Sequence, residues 1–214
     1  NEIHIPVDTP VVLELESGDV IHSFWVPHLS GKKDMIPGRR TLLRIEADRA
    51  GEFGGVCAEY CGGQHALMGF VAVAHEPAAW QAWLAGRIET LVNAAQPVPE
   101  GAQRFPGDAR AYPTEAEALE RYDARRGYDL FMGTGCAACH RIAGSEANGL
   151  AGPDLTHVGS RLTLGAGILP NHRGTLIGWI GDSQSIKPGN RMPSYDRLSA
   201  GELGHIAAFL ELQK

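Results

Sequence analysis

The sequence predicts an all-β sandwich followed by an all-α domain, with a linker between them. Three observations predict it. Residues 1–92 hold short runs in which apolar and polar side chains alternate, the period of half-buried strands. Residues 114–214 hold apolar stripes at helical spacing behind capping-box signatures. Residues 93–113 have no period and are rich in Ala, Pro, Gly and Gln, the composition of a linker that its prolines stiffen.

The elements follow in order. Asn1-Glu2-Ile3-His4-Ile5-Pro6 already reads as a strand. Val11, Leu13 and Leu15 alternate with Val12, Glu14 and Glu16, and Leu43 and Ile45 with Arg44 and Glu46. Further apolar runs at 20–26, 53–56 and 70–75 are separated by punctuation such as Pro37-Gly38 and Ala50-Gly51, which predicts an antiparallel sandwich. Pro77 suits a first helical position, and Trp80, Trp83, Leu84, Ile88 and Leu91 share one face. In the second domain Thr114 with Glu117 opens a helical stretch carrying Leu119, Tyr122 and Phe131. Ser199 with Glu202 opens a last helix with Leu203, Ile206, Ala207 and Leu210 on one stripe. The segment between is loop-rich, as a fold that wraps a cofactor would be.

All four cysteines fall in two motifs. Cys136-Ala137-Ala138-Cys139-His140 is the covalent attachment signature of a c-type haem, in which two thioethers fix the porphyrin and the histidine binds the iron. With 4 Cys and 9 His in 214 residues, chance would produce it about 0.003 times. A zinc knuckle needs a second ligand pair, and this half of the sequence offers none. His140 is then the proximal ligand. The candidates opposite it are Met132, Met192, His157, His172 and His205. Met132 is too close to Cys136 to cross to the far face, so Met192 is preferred, in the glycine- and proline-flanked segment Gly189-Asn190-Arg191-Met192-Pro193. A thioether opposite imidazole raises the reduction potential. Gly152-Pro153-Asp154-Leu155 offers a proline carbonyl to accept the proximal imidazole N–H.

The other motif runs Cys57-x-x-x-Cys61-x-x-x-His65-x-x-Met68. Thiolates, an imidazole and a thioether select copper over magnesium or calcium. A mononuclear blue-copper site uses one Cys, so two thiolates point to two sulfur-bridged coppers, each needing one more strong ligand. His65 supplies one. For the other, His22 is chosen over His4, His28 and His75.

Composition sets the frame. The chain is 43% hydrophobic, enough for two small cores, and its formal net charge of −6 argues against nucleic acid or an anionic membrane surface as a partner. Residues 1–92 carry 7 Lys and Arg against 12 Asp and Glu, so the acidity sits with the copper motif and favours a basic partner. No stretch approaches the ~20 apolar residues that span a bilayer, so this chain is expected to be soluble. Covalent haem is assembled outside the cytoplasm, which places the protein in a periplasm-like compartment.

His22-Ser23-Phe24-Trp25-Val26-Pro27, Pro37-Gly38-Arg39 and Cys57-Ala58-Glu59-Tyr60-Cys61-Gly62-Gly63-Gln64-His65-Ala66-Leu67-Met68 resemble the binuclear copper (CuA) domain of cytochrome c oxidase subunit II, a cupredoxin-like sandwich. Gly127, Gly152-Pro153-Asp154-Leu155-Thr156-His157 and Lys187-Pro188-Gly189-Asn190-Arg191-Met192-Pro193 resemble the all-α class I cytochrome c domain fused to subunit II in caa-type oxidases of bacteria. The resemblance implies that Cys57 and Cys61 bridge two coppers, that His22 and His65 are terminal imidazoles, and that Met68 is a weak axial ligand. It implies that the carbonyl of Glu59 contacts the other copper, and that the Glu59 side chain reaches a magnesium ion at the border with subunit I. In nitrous oxide reductase an aromatic residue holds the position of Glu59, so the glutamate points to the oxidase.

The resemblance further implies the partners: subunit I, other oxidase subunits and an external donor such as a cytochrome. In that family two transmembrane helices, which anchor the subunit to the outer face of the cytoplasmic membrane, and an aromatic-rich strand with an electron-receiving tryptophan precede the segment matching Asn1. This sequence contains none of the three, and Trp25 is read as core packing instead. The expected function is electron transfer from haem c to the copper pair and on to subunit I, where oxygen is reduced. Two other readings are a free-standing periplasmic carrier serving another reductase and a zinc-binding loop at 57–65. Upstream sequence separates the first from the oxidase, and metal analysis the second.

Overall fold

The computed structural model describes residues 1–95 and 122–214. They fall into two compact units, Asn1–Ala85 with Thr163–Leu169, and Gly86–Leu162 with Pro170–Lys214. The predicted Thr114 and Glu117 capping box, Leu119 and most of the expected linker lie outside the described residues.

The first unit is built from β1 (Glu2–Pro6), β2 (Val11–Leu15), β3 (His22–Trp25), β4 (Lys33–Met35), β5 (Thr41–Ile45), β6 (Gly51–Cys57) and β7 (Gly69–His75). One sheet has the order β1-β7-β6-β3-β4, and β2 pairs with β5 in a second. Ile5, Val7, Val26, Phe53, Ala72 and Ala74 face Ile45 and Ala47 in a single core. The expected antiparallel sandwich needs a correction. β1 runs parallel to β7, from Glu2↔Val71 to Pro6↔His75, and only the remaining strand pairs are antiparallel. A parallel neighbour needs a long crossover, and here the rest of the β-unit supplies it.

Trp25 is a second correction, because it lies at the surface and is 36% exposed. Phe24 and Val26 take the core face of that strand segment, and strand alternation sends the residue between them outward, where it pairs with exposed Val56.

Helix α1 (Pro77–Ala95) begins at the expected proline and runs three residues into the segment assigned to the linker. Alanine is the best helix former, so the Ala94 and Ala95 that marked a linker by composition serve the helix equally well. Its apolar stripe is used over part of its length. Trp83 stacks on His4 at 4.4 Å and on Trp80 at 5.2 Å, whereas Ile88 and Leu91 are exposed.

The second unit contains α2 (Ala124–Gly133), the single turn α3 (Cys136–Cys139), α4 (Arg173–Gly181), the turn α5 (Ser183–Ile186) and α6 (Ala200–Glu211). Asp123 caps α2, and the predicted Ser199–Glu202 box caps α6 with both reciprocal bonds formed. Leu203, Ile206, Ala207 and Leu210 are buried as their spacing requires, and Phe209 meets Tyr128 edge-on at 5.4 Å and Phe131 at a tilt at 5.6 Å, both on α2.

The crossing of α2 and α6 depends on Gly127. A Cβ there would stand 2.0 Å from the carbonyl oxygen of His205. Alanine would gain about 1 kcal/mol of helix propensity over glycine. The backbone it strikes cannot step aside, and overpacking of this kind costs about 1–3 kcal/mol or more. Gly127→Ala is therefore expected to destabilise the helical unit, read as an earlier loss of helical circular dichroism in urea. A midpoint equal to wild type would mean that the helices separate freely.

Candidate metal centres

The first centre forms where β3 meets the loop after β6. Their antiparallel register places Phe24 opposite Cys57, so His22, at the start of β3, stands beside the loop that begins at Cys57. The loop is folded back by Ala58 N–H donating to the Ser23 carbonyl at 2.8 Å, by Gly62 at φ 122°, and by the 3₁₀ turn His65–Leu67. Cys57 N–H donates to the Met68 carbonyl at 3.1 Å and closes it.

Six predicted positions converge there. The two sulfurs are 3.7 Å apart; Cys57 Sγ lies 3.8 Å from His22 Nδ1, and Cys61 Sγ lies 3.5 Å from His65 Nδ1. Met68 Sδ is 3.8 Å from Cys61 Sγ, and the Glu59 carbonyl oxygen is 3.2 Å from Cys57 Sγ. Each sulfur thus has a different imidazole beside it, with His65 also reaching Cys57, and the thioether and the carbonyl sit at different sulfurs. This donor set fits a pair of soft cations bridged by sulfur. His4 and His75, the histidines passed over, are bonded to each other at 2.8 Å, and His28 lies against Phe53. The carboxylate of Glu59 is exposed and pairs with Lys32 at 4.0 Å.

Electrostatics favours metal capture. Burial raises the Cys57 thiol, but hydrogen bonds from the Ser23 and Glu59 backbone and from His22 and His65 outweigh it and bring it down to about 6. Cys61 is pushed up by burial and by the neighbouring Cys57. One thiolate is therefore available at neutral pH, and thiolate is the form that binds metal. Asp19, absent from the predicted set, accepts from His22 Nε2 at 2.9 Å, and this bond above all draws its carboxyl down to about 2.

The second centre is organised by α3. Gly135, at φ 96°, turns the chain into the single helical turn that carries buried Cys136 and exposed Cys139, and His140 N–H donates back to the Cys136 carbonyl at 2.9 Å. Both thiols are free. His140 Nδ1 donates to the Pro153 carbonyl at 2.8 Å, which leaves Nε2 for iron. A Cβ on Gly152 would lie 2.6 Å from the His140 ring, so glycine is what lets the loop lie against the imidazole. Free paired thiols and an imidazole with one nitrogen already committed fit covalent haem.

Met192 is held through its backbone. Its N–H donates to Asn190 Oδ1 at 2.8 Å, and its carbonyl accepts from Ser183 Oγ at 2.9 Å and Gln184 Nε2 at 2.6 Å. Each of the competing histidines holds one ring nitrogen in a bond. His172 Nδ1 caps α4 by accepting from Thr175 N–H, His205 accepts from Asp123 N–H at 2.7 Å, and His157 is hydrogen-bonded to the Lys214 backbone. Ser183, Gln184 and Asn190 escaped the sequence reading, since polar residues in a loop carry no signal of whose backbone they hold.

Fold and sites define a two-domain protein in which a cupredoxin-like β-domain with a sulfur- and imidazole-rich loop is joined to a helical cytochrome c domain. Residues 1–75 match the family described as cytochrome c oxidase subunit II, periplasmic domain, and residues 124–213 match cytochrome c. The chain thus carries a domain of the kind found in cytochrome c oxidase subunit II, followed by one that matches cytochrome c. Copper and haem are the groups that these two domains imply.

It is 37% identical over 213 residues to cytochrome c oxidase subunit 2 of Alkalihalophilus pseudofirmus, covering 100% of this chain and 54% of that protein. The namesake from Bacillus subtilis is 29% identical, over 98% of this chain and 54% of its own length. The chain thus spans about half the length of these relatives. A crystal structure of the periplasmic domain of subunit II of cytochrome oxidase from Bradyrhizobium japonicum superposes with a TM-score of 0.40 at 32% identity, covering 42% of this chain and 64% of that one. Among the described residues no helix is long and apolar enough to cross a membrane.

Proposed function

We propose that this chain is the electron-transfer part of subunit II of a caa-type cytochrome c oxidase, passing electrons from covalent haem c to the binuclear copper centre and on to subunit I, where oxygen is reduced. The observation that carries the reading is the presence on one chain of two donor sets of different kinds. One is a dithiol flanked by two imidazoles, and the other is a C-x-x-C-H turn whose histidine is already oriented by Pro153. When bound, the copper pair and the haem supply reversible one-electron redox states. The residues described hold those groups rigidly: the sulfurs and imidazoles are fixed by strand register and loop hydrogen bonds, and His140 and Met192 by carbonyl and amide partners. Rigid ligands keep geometry constant between redox states and so lower the reorganisation that opposes transfer.

The assignments follow from this reading. Cys57 and Cys61 bridge the coppers, His22 and His65 are terminal, Met68 and the Glu59 carbonyl are weak ligands, Cys136 and Cys139 hold the haem, and His140 and Met192 bind its iron. The Glu59 carboxylate, exposed beside Lys32, is the contributor to a magnesium site at the border with subunit I. Exposed apolar residues around the copper loop, Val20, Ile21, Leu67 and the 76%-exposed Tyr60, support docking of that face on another subunit. Beyond the end of α1 at Ala95, the rest of the 93–113 segment is assigned as the linker between the two domains. The chain lies outside the cytoplasmic membrane, anchored through transmembrane helices upstream, and receives electrons from an external donor such as a cytochrome.

Metal analysis with electron-spin and optical spectra of the purified chain tests the reading, which requires two Cu and one Fe per chain. Photoreduction of the haem should then be followed by copper reduction at a rate independent of protein concentration. A rate proportional to concentration would place the transfer between molecules and remove the reason for joining the two domains.

A further inference from the structure

We infer that Asp19 is a positioning residue for the copper centre, its carboxylate fixing the tautomer and ring orientation of His22 and making the two imidazole sides of the centre unequal. The inference rests on the copper reading above.

The geometry runs outward from the ligand. Asp19 Oδ1 lies 2.9 Å from His22 Nε2. An ionised carboxylate only accepts, so Nε2 carries the hydrogen and Nδ1 keeps its lone pair. That lone pair is on the nitrogen 3.8 Å from Cys57 Sγ. The carboxylate is itself tethered. Val20 N–H donates to the same Oδ1 at 2.8 Å, and the single hydroxyl hydrogen of Ser17 is shared between that oxygen, 3.2 Å away, and the Val20 carbonyl. The turn from Ser17 to Val20 therefore presents the acceptor already oriented, and β3 begins two residues later with the ring in register beside Cys57.

His65 sits in a different environment. Besides the Cys61 sulfur, its ring meets Tyr60, edge-on at 5.6 Å. One imidazole thus leans on an anion and the other on an aromatic ring. A metal-binding histidine that donates its other N–H to a carboxylate is the more basic ligand, and loss of such a partner typically weakens metal binding 10- to 100-fold. Stronger donation also favours the more highly charged, oxidised metal, so removing the anion should raise the potential of the copper centre.

The test uses the full chain as wild type, Asp19→Asn and Ser17→Ala. Asparagine keeps an oxygen for Val20 N–H, so the turn can form, but it carries no charge. Copper affinity is measured on the copper-free protein by competition with a chelator, and the copper and haem potentials are measured after loading. Asp19→Asn is expected to bind copper 10- to 100-fold more weakly and to show a higher copper potential with the haem potential unchanged. Ser17→Ala, which loosens the turn and keeps the carboxylate, is expected to change both far less. Wild-type affinity and potential in Asp19→Asn, or equal effects from the two substitutions, would overturn the inference and leave the copper reading standing. Absence of copper uptake by the wild-type chain would overturn both, and is seen before any variant is compared.

Discussion

Cys57→Ser is expected to abolish the two-nucleus electron-spin signature of the copper-loaded chain, with copper falling from two per chain to one or none, while the haem stays attached. Cys57 Sγ lies close to three other donors, the Glu59 carbonyl at 3.2 Å, Cys61 Sγ at 3.7 Å and His22 Nδ1 at 3.8 Å. It is also the thiol whose hydrogen bonds bring it to about 6, so it is the sulfur ready to bind at neutral pH. Serine has nearly the same shape but offers a hard, protonated oxygen where copper prefers a soft, ionised sulfur. A hydroxyl cannot share its electrons between two cations as a thiolate does, and the remaining donors suffice for at most one metal.

The haem is unaffected because its thiols, Cys136 and Cys139, belong to the other compact unit. Metal counts and spectra of the same preparation measure both halves of the expectation. A surviving two-nucleus signature would mean that the bridge lies elsewhere.

The parts of this molecule that were legible in the sequence are those decided within a few residues. Alternation located β2 and β5, a short apolar run located β7, and the Ser199–Glu202 box opened α6 at its true start, because these signals depend on the chain's own neighbours. Ligand spacing was legible for the same reason: 57, 61, 65 and 68 share one loop, and 136, 139 and 140 one turn. What escaped depends on distant partners. The parallel pairing of Glu2 with Val71 is set by the whole β-unit and leaves no local trace. Trp25 suggested the core by its size, but Phe24 and Val26 had already taken that face. Ile88 and Leu91 show the limit of periodicity, which says that a face is apolar and not that anything covers it. Asp19 was missed because a carboxylate three residues before a histidine becomes its partner only once Ser17 and Val20 have folded the turn.

Met192→Ala should lower the haem potential, on the order of 0.2 V within the roughly 0.8 V that axial ligands span, and should open the iron to added ligands such as imidazole. Imidazole opposite thioether favours the reduced haem more than imidazole opposite water or a second nitrogen. The structure makes this substitution unusually selective. The bonds that hold residue 192 use its N–H, received by Asn190 Oδ1, and its carbonyl, shared by Ser183 and Gln184. Alanine retains all of them. The loop should therefore keep its course, and only the thioether is lost. Among the histidines of this unit, His172 caps a helix, His205 accepts the Asp123 N–H and His157 is bonded to the Lys214 backbone, each through one ring nitrogen, so a replacement from among them would have to bind through the other. Optical titration with imidazole and potentiometry on the full chain read the two effects. An unchanged spectrum and potential would show that another side chain supplies the sixth bond.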